Sequence, residues 1–222
     1  EDGIRNVAVT GVQTCALPIC YSSVAVMALA GGEATVHVHD GVSLLANGVA
    51  NANAYLDDVG ACASGASAQA TYQIDGDVTV KAVATTGGAQ ASDGSIYAMA
   101  QGDHTVATVS LGSLDVSAQA AGAATASVYS LTASATGQES EARIEIAGDL
   151  HVQATSTGGD ATASLATFSV AASGASSLAE IHVGGDVHVT AHAGTGNSAA
   201  VTLSGRSEEH TSELQSRLHL VC

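Results

Sequence analysis

Tryptophan is absent from this 222-residue chain, which has one proline, one phenylalanine and only five lysines and arginines against 21 aspartates and glutamates. The scarcity of proline removes the residue that would delete ladder hydrogen bonds from the middle of a sheet. The formal net charge of −16 argues against nucleic acid and against an anionic membrane surface, both of which demand a basic footprint. No run approaches the ~18 apolar residues of a membrane span; the stretch from Val24 to Ala30 stops far short of it. With so few aromatic and basic side chains there is no stacking platform for sugars and no electrophilic clamp for a developing negative charge. Neither a Gly-x-Ser-x-Gly elbow nor a phosphate-binding loop occurs. Catalysis is therefore not expected.

Alanine, glycine, serine, threonine and valine dominate what remains. Such small residues also suit a disordered chain, but disordered chains lack β-branched residues and periodic apolar pattern, and both are plentiful here. One skeleton recurs: Ile181-His-Val-Gly-Gly-Asp-Val-His-Val-Thr-Ala191, Ile144-Glu-Ile-Ala-Gly-Asp-Leu-His-Val-Gln-Ala154 and Tyr72-Gln-Ile-Asp-Gly-Asp-Val-Thr-Val-Lys-Ala82. A shortened form begins at Val109 and a looser one at Val36, so the units follow one another at 35–37 residues. A fixed period of that size signals a repeat architecture whose neighbouring units must stack to bury a core.

Within each unit the apolar spacing is two, the signature of strands. Ile181, Val183, Val187, Val189, Ala191 and Ala193 fall on one side of the last unit, and His182, His188, Thr190 and His192 on the other. Gly-Asp pairs supply bends, because glycine accepts positive φ and aspartate bonds its own backbone. Each unit reads as strand, bend, strand, turn, long strand, turn. The spacing predicts an all-β fold, a parallel β-solenoid of about five 35–37-residue units, each unit one flattened coil or two short rungs. An antiparallel β-meander of the same repeats is the alternative. Stacking predicts that each inward row holds one size class, and Val36/Tyr72/Val109/Ile144/Ile181 and Leu44/Val80/Val116/Val152/Val189 largely do, Tyr72 being the departure. The unit from Val36, with Asn47, Asn51, Asn53 and Asp57-Asp58, is expected to carry a protruding loop.

The repeat pattern Ile144-x-Ile-x-Gly-Asp-Leu-x-Val-x-Ala154 and Ile181-x-Val-x-Gly-Asp-Val-x-Val-x-Ala191 resembles that of large repetitive bacterial surface proteins, the β-strand-repeat and filamentous-haemagglutinin-like adhesins. The resemblance implies a non-catalytic structural or adhesive rod, extracellular or on the bacterial cell surface. Its implied partners are further copies of the repeat in a longer parent chain and host or biofilm surface ligands, with no nucleic acid and no membrane insertion. A carbohydrate-binding or carbohydrate-processing β-helix, with its site in the loop 47–58, is the alternative.

The two ends resemble something else. Arg206-Ser-Glu-Glu-His-Thr-Ser-Glu-Leu-Gln-Ser216 matches a translated sequencing adapter, and Val9-Thr-Gly-Val-Gln-Thr-Cys-Ala-Leu-Pro-Ile19 matches its reverse complement. The resemblance implies that 1–20 and 206–222 are adapter-derived and not structural, that 21–205 is the repeat segment, and that the whole is a metagenomic fragment. Cys62 is then the one cysteine among the repeats, too few for a disulfide framework. Cys62, Met27, Met99 and Phe168 read as interior or half-buried residues.

No resident cofactor is expected, and two sets of side chains are weak metal candidates. His151 and His188 hold the same slot in adjacent units, flanked by His182 and His192, and a stacked histidine pair with a third ligand suits zinc or copper. Asp77, Asp149 and Asp186 recur at one corner, where a column of like charges ~4.8 Å apart repels itself and calcium would relieve it. The simpler readings are a solvated outer row for the histidines and plain turn-formers for the aspartates.

Overall fold

The computed structural model describes residues 5–9 and 19–207, with side chains from 26 to 204. These residues form a parallel β-solenoid in which each ~36-residue unit is one coil of three strands. Strands β1 (Arg5–Val9) and β2 (Ile19–Leu29) precede the first complete coil, which consists of β3 (Glu33–Val38), β4 (Val42–Gly48) and β5 (Ala52–Ser64). The second coil is β6 (Gln69–Ile74), β7 (Val78–Ala84) and β8 (Ala89–Gln101); the third is β9 (Val106–Leu111), β10 (Leu114–Ala120) and β11 (Ala124–Thr136). The fourth is β12 (Glu141–Ile146), β13 (Leu150–Ser156) and β14 (Ala161–Ser173), and the fifth is β15 (Leu178–Val183), β16 (Val187–His192) and β17 (Ala199–Ser207).

Three sheets result, in the orders β1-β3-β6-β9-β12-β15, β4-β7-β10-β13-β16 and β2-β5-β8-β11-β14-β17. Every pairing is parallel, which excludes the antiparallel meander. The rows expected from the sequence are the registered ones: Val36 pairs with Tyr72, Tyr72 with Val109, Val109 with Ile144 and Ile144 with Ile181. Arg5–Val9, Ile19–Cys20 and Arg206–Ser207 extend these ladders. The rest of the two adapter-like tails lies outside the described residues.

The interior is narrow because two of its rows on the long face are alanine through the first four coils, Ala52/Ala89/Ala124/Ala161 and Ala54/Ala91/Ala126/Ala163, all 4 % exposed or less. Larger residues fill the other two faces, with Leu44, Val80, Val116 and Val152 fully buried. The 13-residue strands change phase at their midpoint. In β8 the inward residues are Ala89, Ala91 and Asp93, then Ile96, Ala98 and Ala100, with Gly94 and Ser95 between them.

That phase change accounts for two departures from expectation. Residues 47–58 form no protruding loop: Val42–Gly48 and Ala52–Ser64 are strands, because Ala52, Ala54, Leu56, Val59, Ala61 and Ala63 fill the same inward rows as in the other coils. Met27 and Met99, 63 % and 36 % exposed, lie on the outer face in register with half-buried Cys62. Phe168, as expected, is partly buried against the core.

The third corner, between the long strand and the next coil, is a four-residue turn with a fixed chemistry. Gly102, Gly137 and Gly174 open it at φ of 119°, 119° and 117°, and His104, Glu139 and Ser176 are left-handed at 58°, 53° and 59°. Only glycine takes the first conformation without strain. The fourth residue then turns a hydroxyl back: Thr105, Ser140 and Ser177 donate to the carbonyls of Gly102, Gly137 and Gly174 at 3.0, 3.2 and 3.1 Å.

Candidate functional sites on the corners and outer faces

The corner aspartates form the column that the repeat predicts. Asp77, Asp149 and Asp186 each precede a registered strand start, with Ser113 occupying the slot of the third coil. Asp77 Oδ1 accepts the Ser113 N–H at 2.8 Å, and Asp149 Oδ1 accepts the Asp186 N–H at 2.9 Å. The same device occurs at the other corners, where Asn51, Asp103 and Asp160 accept the N–H groups of Gly88, Gln138 and Ser198. Each acidic or amide side chain staples its coil to the next by satisfying a corner N–H that no strand ladder reaches. The sequence suggests local turn formation at these positions; the bond to the following coil becomes visible only once register is known.

His151 and His188 are registered neighbours on the second face, with ring centroids 6.3 Å apart and the planes nearly perpendicular. Each ring has its own carboxylate, His151 facing Asp115 at 3.6 Å and His188 facing Asp186 at 3.7 Å. His192 is on the same strand as His188, whereas His182 sits on β15 and so on a different face. The expectation that His182 flanks the pair is thus corrected: the first corner turns the chain between them.

A tighter group lies at the first corner of the first two coils. His37 Nε2 is 2.8 Å from Asp75 Oδ2, His39 Nδ1 is 3.4 Å from the same oxygen, and the imidazole centroids are 4.1 Å apart. Gln73 Nε2 donates to the other carboxylate oxygen, Oδ1, at 2.7 Å. The His37 hydrogen bond, outweighing a smaller opposing desolvation, and then the Gln73 bond hold the Asp75 carboxyl below its ordinary 3.8. Repeat alignment contains this group, since His37 pairs with Gln73 and His39 falls one residue beyond the Val38–Ile74 pair, opposite Asp75. A search for like residues in columns passes over it, because its members are unlike and meet on a diagonal.

The chain matches no family model, no curated protein and no solved structure. No helix is long and apolar enough to cross a membrane among the described residues.

The 47–58 region contains a shallow depression of about 410 Å³ lined by Asn47, Gly48, Val49, Ala50 and Asn51 at the second corner. Asp57 and Asp58 are not on opposite faces, as simple alternation predicts. The phase change between buried Leu56 and Val59 leaves both out of the interior. Nearby, Asp93 is fully buried in the row of Leu56, Val128 and Leu165, and neither carboxylate oxygen has a hydrogen-bond partner. Desolvation, and then the charge of Asp58, push its pKa well above 3.8. Burial also raises the Cys62 thiol above 9.0, which lowers its thiolate fraction and its reactivity.

Proposed function

We propose that this chain is a non-catalytic segment of a structural or adhesive rod, secreted or held on a bacterial surface. The observation that supports the reading is the repeated register of the ladders, shifted only between Ser22 and Val24 and between Leu165 and Phe168 among the described residues: five coils repeat one cross-section, so successive units add length. Rows of Thr, Ser, Gln and His repeat along the outside (Thr79, Asp115, His151 and His188 in one row) and offer weak contacts many times over. Multiplicity of that kind converts weak contacts into avidity. The resemblance of the repeat to bacterial adhesins points the same way, and further copies of the repeat and a host or biofilm ligand are the partners it implies.

The test is retention on immobilised polysaccharides and extracellular-matrix proteins, read with the single chain and with a tandem duplication. Retention that rises steeply with coil number, with the glycans recovered at unchanged length, is the expected result. Release of new reducing ends would replace the rod with a carbohydrate-processing β-helix centred on residues 47–58.

A further inference from the structure

We propose that His37, His39 and Asp75 form a binding site for a divalent transition ion of the zinc class, which clamps the first coil to the second. Two ligands bonded at ~2.0–2.2 Å in a tetrahedral arrangement stand ~3.3 Å apart. The distances of 2.8 and 3.4 Å from the two histidines to Asp75 Oδ2 bracket that value. One ligand atom from each of the three residues lies within 4.8 Å of the others. An ion therefore takes the place of the shared proton with small rotations of exposed side chains.

The supporting bonds are already in place. A ligating carboxylate needs its second oxygen held so that the first is aimed, and such outer partners are a regular part of metal sites. Gln73 does this at Asp75 Oδ1. The other candidates lack the combination. His151 and His188 face two different carboxylates at 3.6 and 3.7 Å, and the Asp77 and Asp149 Oδ1 atoms are engaged with backbone N–H groups.

Two imidazoles and one carboxylate select zinc, copper or nickel over magnesium and calcium, which prefer all-oxygen sets. The three side chains are 34 %, 54 % and 37 % exposed in the order His37, His39, Asp75, so water completes the coordination. Because His37 and His39 belong to the first coil and Asp75 to the second, the ion adds a cross-link that the ladder does not contain.

Isothermal titration of the chelator-stripped full chain with zinc chloride tests the site. One equivalent is expected to bind there and to raise the melting temperature, whereas magnesium does neither. His39→Ala and Asp75→Asn should each weaken zinc binding about tenfold or more, and Gln73→Ala should do so to a smaller degree. His188→Ala should leave it unchanged. Ring resonances in the unaltered chain provide a readout independent of how the variants fold: zinc should shift His37 and His39. Zinc shifts confined to His151 and His188, or binding indifferent to both His39→Ala and Asp75→Asn, would overturn the proposal.

Discussion

Asp93→Val is the substitution with the most decisive expected outcome. Position 93 lies between Leu56 and Val128 in an inward row, is fully buried, and leaves both carboxylate oxygens without partners. Removing an unsatisfied buried polar group recovers about 1–3 kcal/mol, and the valine methyls add roughly 1 kcal/mol of apolar burial. A gain of about 2–4 kcal/mol is expected when the native carboxyl is neutral. The sign of the pH dependence follows from the raised pKa. Above the ordinary carboxylate value of 3.8 the unfolded chain loses this proton while the folded chain keeps it. The wild type therefore loses about 1.4 kcal/mol per pH unit from this group until its folded-state pKa is passed, beyond which the loss is constant. Urea unfolding of both proteins from pH 4 to 8 measures the difference. The advantage of Asp93→Val should widen as pH rises, and Asp93→Asn, nearly the same shape, should abolish the slope without the full gain. A valine variant less stable at every pH, or an advantage independent of pH, would refute the assignment of Asp93 as a buried neutral acid. Tyr72, the largest fully buried side chain, lies in the same coil, and its phenol is raised to about 12 by burial and then by the Asp93 charge. Its titration should move down in both variants, which checks their proximity by absorbance.

The other expectations concern corners and core. Asp77→Ala and Asp149→Ala should each cost about 1 kcal/mol in urea unfolding, the usual value of a lost side-chain cap on a backbone N–H, whereas Asp186→Ala should cost less than about 0.5 kcal/mol. Calcium titration should leave the melting temperature unchanged, since that column satisfies backbone donors; a rise would restore calcium as its ligand. Gly137→Ala should cost at least about 1–3 kcal/mol in thermal unfolding, for its φ of 119° is strained for alanine and a Cβ would strike the Gly102 carbonyl oxygen. Ala126→Leu should cost about 1–3 kcal/mol or more, because Ala126 is fully buried between Ala91 and Ala163 and a larger side chain must displace packed neighbours.

Period and row identity made the solenoid legible. Val80, Val116 and Val152 recur at one slot because a buried position in a stack meets its own copies above and below, so one solution serves every coil. Strand order within the coil was equally readable from alternation and Gly-Asp bends. Three features were not. The phase change inside the long strands is invisible to a period-two reading, which gives Met27 and Met99 as interior or half-buried and puts Asp57 and Asp58 on opposite faces. The burial of Asp93 has no local signal, since nothing in its own coil marks a carboxylate that register carries into the interior. The His37–His39–Asp75 group required a diagonal between two coils, and no single coil contains it. What depended on one unit was visible in the chain; what depended on the offset between units was not.

Among the described residues, the corner side chains that accept backbone N–H groups from another coil run one way. Asn51, Asp77, Asp103, Asp149 and Asp160 accept from residues 35 to 38 positions later, so the acceptor always belongs to the earlier coil and the donor to the later one. A nascent or threading chain thus presents each docking oxygen before the amide it will hold has arrived. Assembly in the opposite sense would have to bring bare amides to rest against a face with no carboxylates yet in position. The corner bonds therefore give the stack a direction, each of these side-chain oxygens reaching toward the later coil.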